Sequence, residues 1–149
     1  GLKTELTVLG SVIKGSVPDF VSPNGFVSKK TSKGRTLIDR LFAESHFLLL
    51  PSRADCVPVV IAEANSFGVP VVASDVGGIS TAVRDDINGY VLASEGQFVT
   101  HACSVILESM ESHSAYRELA FRSFGEYNER LNWQTAGRRV HELLENILE

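Results

Sequence analysis

Two short apolar runs bracket a helix-like segment near the middle of this chain, and that order restricts the fold more than any other feature. His46-Phe-Leu-Leu-Leu-Pro51 carries a continuous apolar run closed by proline. Such a run reads as a strand buried on both faces. Val69-Pro-Val-Val-Ala-Ser74 is the next strand. Between them, Val59 to Phe67 reads as a helix despite its β-branched start, and Gly68 ends it. A strand, a helix and a second strand in succession imply parallel pairing with a crossover helix.

The same alternation extends in both directions. Leu6 to Gly10 and Asn24 to Ser28 read as short strands, with loop chemistry from Lys14 to Pro23. The polar, basic stretch Lys29 to Gly34 reads as an exposed loop, and Arg35 to Ser45 has helical spacing at Leu37, Ile38, Leu41 and Phe42. Downstream, Ile79 to Val83 is a short helix. Asp85 to Gly89 is a turn in which Asn-Gly supplies positive φ, and Tyr90 to Leu92 is a last strand. Phe98 to Ser109, Ser114 to Tyr127 and Trp133 to Leu148 read as helices, with the lone Trp133 expected to dock the last of them in the core. The expected fold is α/β, a Rossmann-like parallel sheet flanked by helices and followed by carboxyl-terminal helices. With 149 residues and no internal repeat, the chain is expected to be a single domain, 1–149. It begins at Gly1 almost directly in a strand-like run, as expected of a fragment of a longer protein.

Composition removes several function classes. A net charge of -4, from 14 basic and 18 acidic residues, argues against a general nucleic-acid binder. No apolar run is long enough to cross a bilayer, and no signal peptide is visible. Cys56 and Cys103 lack metal-ligand spacing and are expected to be free thiols in a reducing compartment. His46, His101, His113 and His141 share no local spacing and are read as structural. No metal site, dinucleotide fingerprint or Walker loop is expected.

Three features between the strands can carry chemistry. On a helix, Glu63 points along the face of Val59, Val60, Ser66 and Phe67, where a carboxylate needs donors. Those donors are ligand hydroxyls, or else backbone amides or an arginine inside the protein. Asp55 lies just beyond the carboxyl end of the strand finishing at Leu50, where open α/β sheets bind ligands. Its plain alternative is a solvated turn residue or helix cap. Gly77-Gly78 follows a strand and precedes a helix, so its amides can approach an anion, with Ser80 or Thr81 adding a hydroxyl. The alternative there is a tight turn without a ligand. Carboxylates for hydroxyls and glycines for phosphate together suggest a sugar-nucleotide site. The cluster Lys29, Lys30, Lys33 and Arg35 reads as a solvated loop or a neighbour of the diphosphate.

Leu49-Leu-Pro-Ser52, Asp55-x7-Glu63, Ala64, Gly68-Val-Pro-Val-Val72, Gly77-Gly78 and Asn88-Gly-Tyr-Val-Leu92 occur in that order. The series resembles the family-4 retaining glycosyltransferases of the two-domain GT-B fold, with weaker similarity at Leu9-Gly10, Gly25-Phe-Val27 and Leu131-Asn-Trp133. The resemblance implies the carboxyl-terminal half of such an enzyme, the part that holds a nucleoside-diphosphate sugar. It implies that Glu63 binds the ribose hydroxyls and Asp55 faces the hydroxyls of the transferred sugar. These two are the candidate catalytic residues, acting by orienting the donor rather than as a hydrolytic acid–base pair. Backbone near Val57 and Val59 would help hold the sugar, and the base would lie against the loop after Phe26-Val27.

Asp55 replaces the family's usual Glu, Pro58 stands where glycine is frequent, and Thr81 replaces a frequent Glu. The family's upstream basic pair and its acceptor-binding half are expected outside this sequence. No cofactor is implied beyond the donor substrate. The implied partners are that donor and a sugar, lipid or small-molecule acceptor, in the cytoplasm, with any membrane association made through the missing half. A nucleotide-sugar epimerase or hydrolase on the same scaffold, and a non-catalytic nucleotide-sugar-binding domain, are the rival readings.

Overall fold

The computed structural model describes residues 3–93 and 96–148. The chain forms two compact units, Gly1–Leu41 and Phe42–Glu149.

In the first unit, β1 (Leu6–Val8) and β2 (Val21–Pro23) pair in parallel, Leu6 opposite Val21 and Val8 opposite Pro23. The second strand therefore lies upstream of the expected Asn24 to Ser28 and ends on a proline. The pairing explains how. The Leu6 amide donates to the Phe20 carbonyl and the Asn24 amide to the Val8 carbonyl, so alternate residues of β2 face β1. The missing N–H of Pro23 falls on the other side, where this pair does not need it. Phe26 and Val27 consequently sit on a loop.

Helix α1 (Ser32–Glu44) starts inside the stretch expected to be a loop. The Thr31 hydroxyl accepts from the Gly34 amide at 3.1 Å, which caps the first turn and lets the polar residues enter the helix.

The second unit carries the alternation that the sequence displays. Its parallel sheet has the order β3 (Leu48–Leu50), β4 (Val71–Ser74), β5 (Gly89–Leu92). Helices α2 (Val59–Ser66) and α3 (Ile79–Ala82) are the crossovers. All of β4 is buried, whereas Leu49 in β3 is 37% exposed. The strand covered on both faces is thus the central one, because β3 lies at an edge of this three-stranded sheet.

The core is made by Ile61 and Ala64 of α2, Val69, Val71 and Ala73 along β4, and Ile79, Ala82 and Val83 around α3. Gly68 (φ +70°) takes the left-handed conformation that ends α2 and turns the chain into β4. In the turn before β5 positive φ occurs at Asp86, at 60°, and, as expected of the Asn-Gly pair, at Gly89, at 157°. Asn88 itself is fully buried.

The remaining helices are α4 (Phe98–Ser109), α5 (His113–Glu126) and α6 (Trp133–Leu148), with a π-helical turn at Tyr127–Leu131 before α6. The Tyr116 ring of α5 packs at a tilt against His46 and Phe47 and its hydroxyl donates to the His46 carbonyl at 3.1 Å, and burial pushes its phenol above the ordinary value. The residues that lead into β3 are thereby tied to α5.

Trp133 is 83% exposed, contrary to the expectation that it docks α6 in the core. Asn132 does the local work there. Its side chain accepts from the Thr135 amide at 2.8 Å and donates to the Tyr127 and Asn128 carbonyls, joining the π turn to α6. Trp133→Ala is accordingly expected to change unfolding free energy by less than about 0.5 kcal/mol in urea denaturation, as at other surface positions. Among the described residues no helix is long and apolar enough to cross a membrane.

Candidate functional site

Because β3 and β4 are parallel neighbours, the loops leaving their carboxyl ends emerge at the same edge of the sheet. The first loop runs from Pro51 to Pro58 and carries Asp55, Cys56 and Val57. The second runs from Asp75 to Gly78. They are in direct backbone contact. The Gly78 amide donates to the Cys56 carbonyl at 2.6 Å. A Cβ added to Gly77 would collide with the Asp55 carbonyl oxygen, and Gly77 also adopts φ +56°. A Cβ on Gly78 would collide with the Cys56 carbonyl and lie 2.7 Å from Val57 Cγ2.

Close approach between the loops therefore accounts for both glycines without a ligand. The Gly78 amide, expected to face an anion, is engaged by Cys56. The function of the pair that the structure does display is to set the position of Asp55.

Asp55 is exposed, as are Val57 (50%) and Val59 (57%). Exposed valines that follow an exposed carboxylate give this loop both apolar and hydrogen-bonding capacity. Glu63 is half-buried on α2, and the neighbouring residues Ile61, Ala64 and Asn65 are buried. Its helix thus turns its core face inward beside a carboxylate that keeps partial access to solvent. Asp55, Glu63, Val57, Val59 and Gly77-Gly78 all belong to the second unit. Phe26, 84% exposed, and half-buried Val27 belong to the first. In the basic stretch of that first unit, Arg35 Nε donates to the Lys29 carbonyl at 2.7 Å. The two cysteines are free and exposed, and among the described residues no cluster of His, Cys, Asp and Glu has the makings of a metal centre.

Sequence reasoning missed two polar networks behind these loops. In the first, Asn88 Nδ2 donates to Asn65 Oδ1 at 2.8 Å and to the Ala82 carbonyl at 3.0 Å, while its Oδ1 accepts from the Arg84 amide at 2.7 Å. Asn65 Nδ2 donates to the Val69 carbonyl at 3.0 Å. The pair ties α2, the end of α3 and the entry to β5 together.

In the second network, Glu126 is buried and accepts from Arg130 Nε at 2.6 Å and from Arg84 at 3.0 Å. Arg130 also reaches the Thr81 and Ala82 carbonyls, each at 2.7 Å. The local signal for the first network was a polar residue, Asn65, inside an apolar helix. The second had only a carboxylate and an arginine in helical register.

The fold, a parallel sheet flanked by helices, is shared with solved glycosyltransferases of the GT-B fold. Sucrose-phosphate synthase from Thermosynechococcus elongatus superimposes with a TM-score of 0.69 at 19% identity, over 87% of this chain and 31% of that one. Anabaena HepE, solved in complex with UDP-glucose, gives a TM-score of 0.67 at 22% identity, over 86% of this chain and 33% of that one. Residues 4–109 match the family described as Glycosyl transferases group 1, and the chain belongs to that family. Among curated relatives, D-inositol 3-phosphate glycosyltransferase of Mycobacterium marinum is 30% identical over 103 residues, 68% of this chain and 22% of that protein. The enzyme of the same name from Nocardia farcinica is 38% identical over 53 residues, 36% of this chain and 12% of its own length. The chain thus spans about a fifth or less of the length of these relatives.

Proposed function

We propose that this chain is the donor-binding half of a glycosyltransferase that moves a sugar from a nucleoside diphosphate to an acceptor with retention of anomeric configuration. The observation that carries the reading is the pairing of the Asp55 loop with the Gly77-Gly78 turn at the carboxyl edge of the sheet, beside half-buried Glu63 on the next helix. HepE, of the same fold, was solved with UDP and with UDP-glucose, which supports a uridine diphosphate sugar as the first donor to try.

In this reading Glu63 accepts hydrogen bonds from the ribose diol, and Asp55 does the same for the sugar being transferred. Backbone near Val57 and Val59 borders that sugar. A shorter carboxylate at position 55 holds the sugar contact one methylene nearer the backbone than a glutamate would. Catalysis rests on orienting the donor and stabilising the diphosphate as it leaves. The acceptor and the remaining diphosphate contacts come from elsewhere in the parent enzyme, and this carboxyl-terminal half alone turns over nothing.

Calorimetric titration with UDP, GDP and ADP sugars tests the reading directly. Glu63→Gln keeps the shape but removes the charge from the hydrogen bond, and is expected to weaken donor binding by about 1–3 kcal/mol. Equal affinity of the two proteins would remove Glu63 from the site.

A further inference from the structure

The Gly77-Gly78 turn is only as well placed as α3, and α3 is a single helical turn. A helix this short has no stability of its own and is positioned by what grips it. Ile79, Ala82 and Val83 bury apolar surface, which holds α3 against the core. Apolar contact is non-directional, however, and leaves a short helix free to rotate or slide. The directional grip is at its far end. Arg130 donates from its two terminal nitrogens to the last carbonyls, Thr81 and Ala82, while Nε is held on Glu126. Glu126 in turn is fixed by Arg84, two residues beyond the end of α3. The Ala82 carbonyl also accepts from Asn88, so both polar networks meet on one atom.

We propose that Arg130 is a positioning residue for the ligand-side loops. Its planar fork sets the orientation of α3, and α3 in turn holds the Gly78 amide on the Cys56 carbonyl and Asp55 in place. Arg130 lies in the π-helical turn and grips α3 through the Thr81 and Ala82 backbone carbonyls. The consequence for ligand binding rests on the donor-site reading above, whereas the consequence for the Gly78 hydrogen bond does not.

The test is amide hydrogen exchange by NMR, together with UDP titration, on the 149-residue chain and its Arg130→Lys variant. Lysine keeps a positive charge near Glu126 but cannot present a fork to two carbonyls and a carboxylate at once. The Leu48 amide, bonded to the Pro70 carbonyl at 2.9 Å, reports global opening. In Arg130→Lys the Gly78 amide is expected to exchange about tenfold faster relative to Leu48, the mark of a local opening. UDP affinity is expected to fall about fivefold, as for a mutation that couples to a site without touching it.

Leu119→Ala, which removes a buried side chain of α5 outside both networks, should accelerate the two amides together. Glu126→Gln keeps the shape of the anchor and should move the Gly78 amide in the same direction by a smaller step, so the inference remains testable if Arg130→Lys does not fold. Gly78 and Leu48 accelerating in step in both network variants would overturn the positioning role. A loosened Gly78 amide with unchanged UDP affinity would overturn its bearing on the ligand. If the unmodified chain binds no UDP, the donor-site reading loses its first support, and the exchange result still decides the role of Arg130.

Discussion

Asn88→Ala is expected to destabilise the chain by about 3–5 kcal/mol, a large share of what a domain of this size has in reserve. Asn88 has no solvent exposure and uses both ends of its amide. Truncation leaves the Arg84 amide and Asn65 Oδ1 without the partners they have at 2.7 and 2.8 Å. Each buried polar group stranded in this way costs about 1–3 kcal/mol. The Ala82 carbonyl loses less, since Arg130 still donates to it. Urea unfolding of the variant measures the cost. The double variant Asn65→Ala with Asn88→Ala should cost clearly less than the sum of the singles, because each single strands the other amide. Strict additivity would mean that the two side chains do not depend on one another.

Gly77→Ala is expected to damage the candidate site and the fold together. The left-handed conformation at φ +56° penalises any Cβ by about 1–2 kcal/mol. The larger effect is the collision of that Cβ with the Asp55 carbonyl, a backbone atom that cannot rotate away. The Pro51–Pro58 loop has to move, and the hydrogen bond from Gly78 to Cys56 is lost with it. We expect a stability loss of about 2–4 kcal/mol, combining conformational strain and a broken hydrogen bond. Nucleotide-sugar affinity should fall by at least about tenfold, given how steeply a site depends on placement of its groups. Calorimetry below the melting transition separates the two effects. Preserved affinity in a destabilised but folded variant would show that binding does not depend on where Asp55 is held.

Several elements were legible because their causes are local. Spacing of apolar residues put α4 at Phe98–Ser109 and α6 at Trp133–Leu148, the bounds observed. Gly68 marked the end of α2, since a left-handed residue is needed there. Where one residue's environment was inferred from its type, the result was less secure. Trp133 was expected in the core on size and apolarity, yet it stands on the solvent face of a helix whose start is anchored by Asn132. β3 was expected to be covered on both faces from its leucines, but strand order, not composition, decides which strand is central.

Residue order alone sets the alternation of strands and helices, the parallel pairing that alternation requires, and the placing of Asp55 and Glu63 around one strand-to-helix connection. These follow from periodicity and chain reach, which act over a few residues. The need for the two glycines, the burial of Asn65 and Asn88, and the grip of Arg130 on the end of α3 emerge from the packed chain. Those contacts join residues 22 to 49 positions apart, where no local pattern signals which groups will meet once water is excluded.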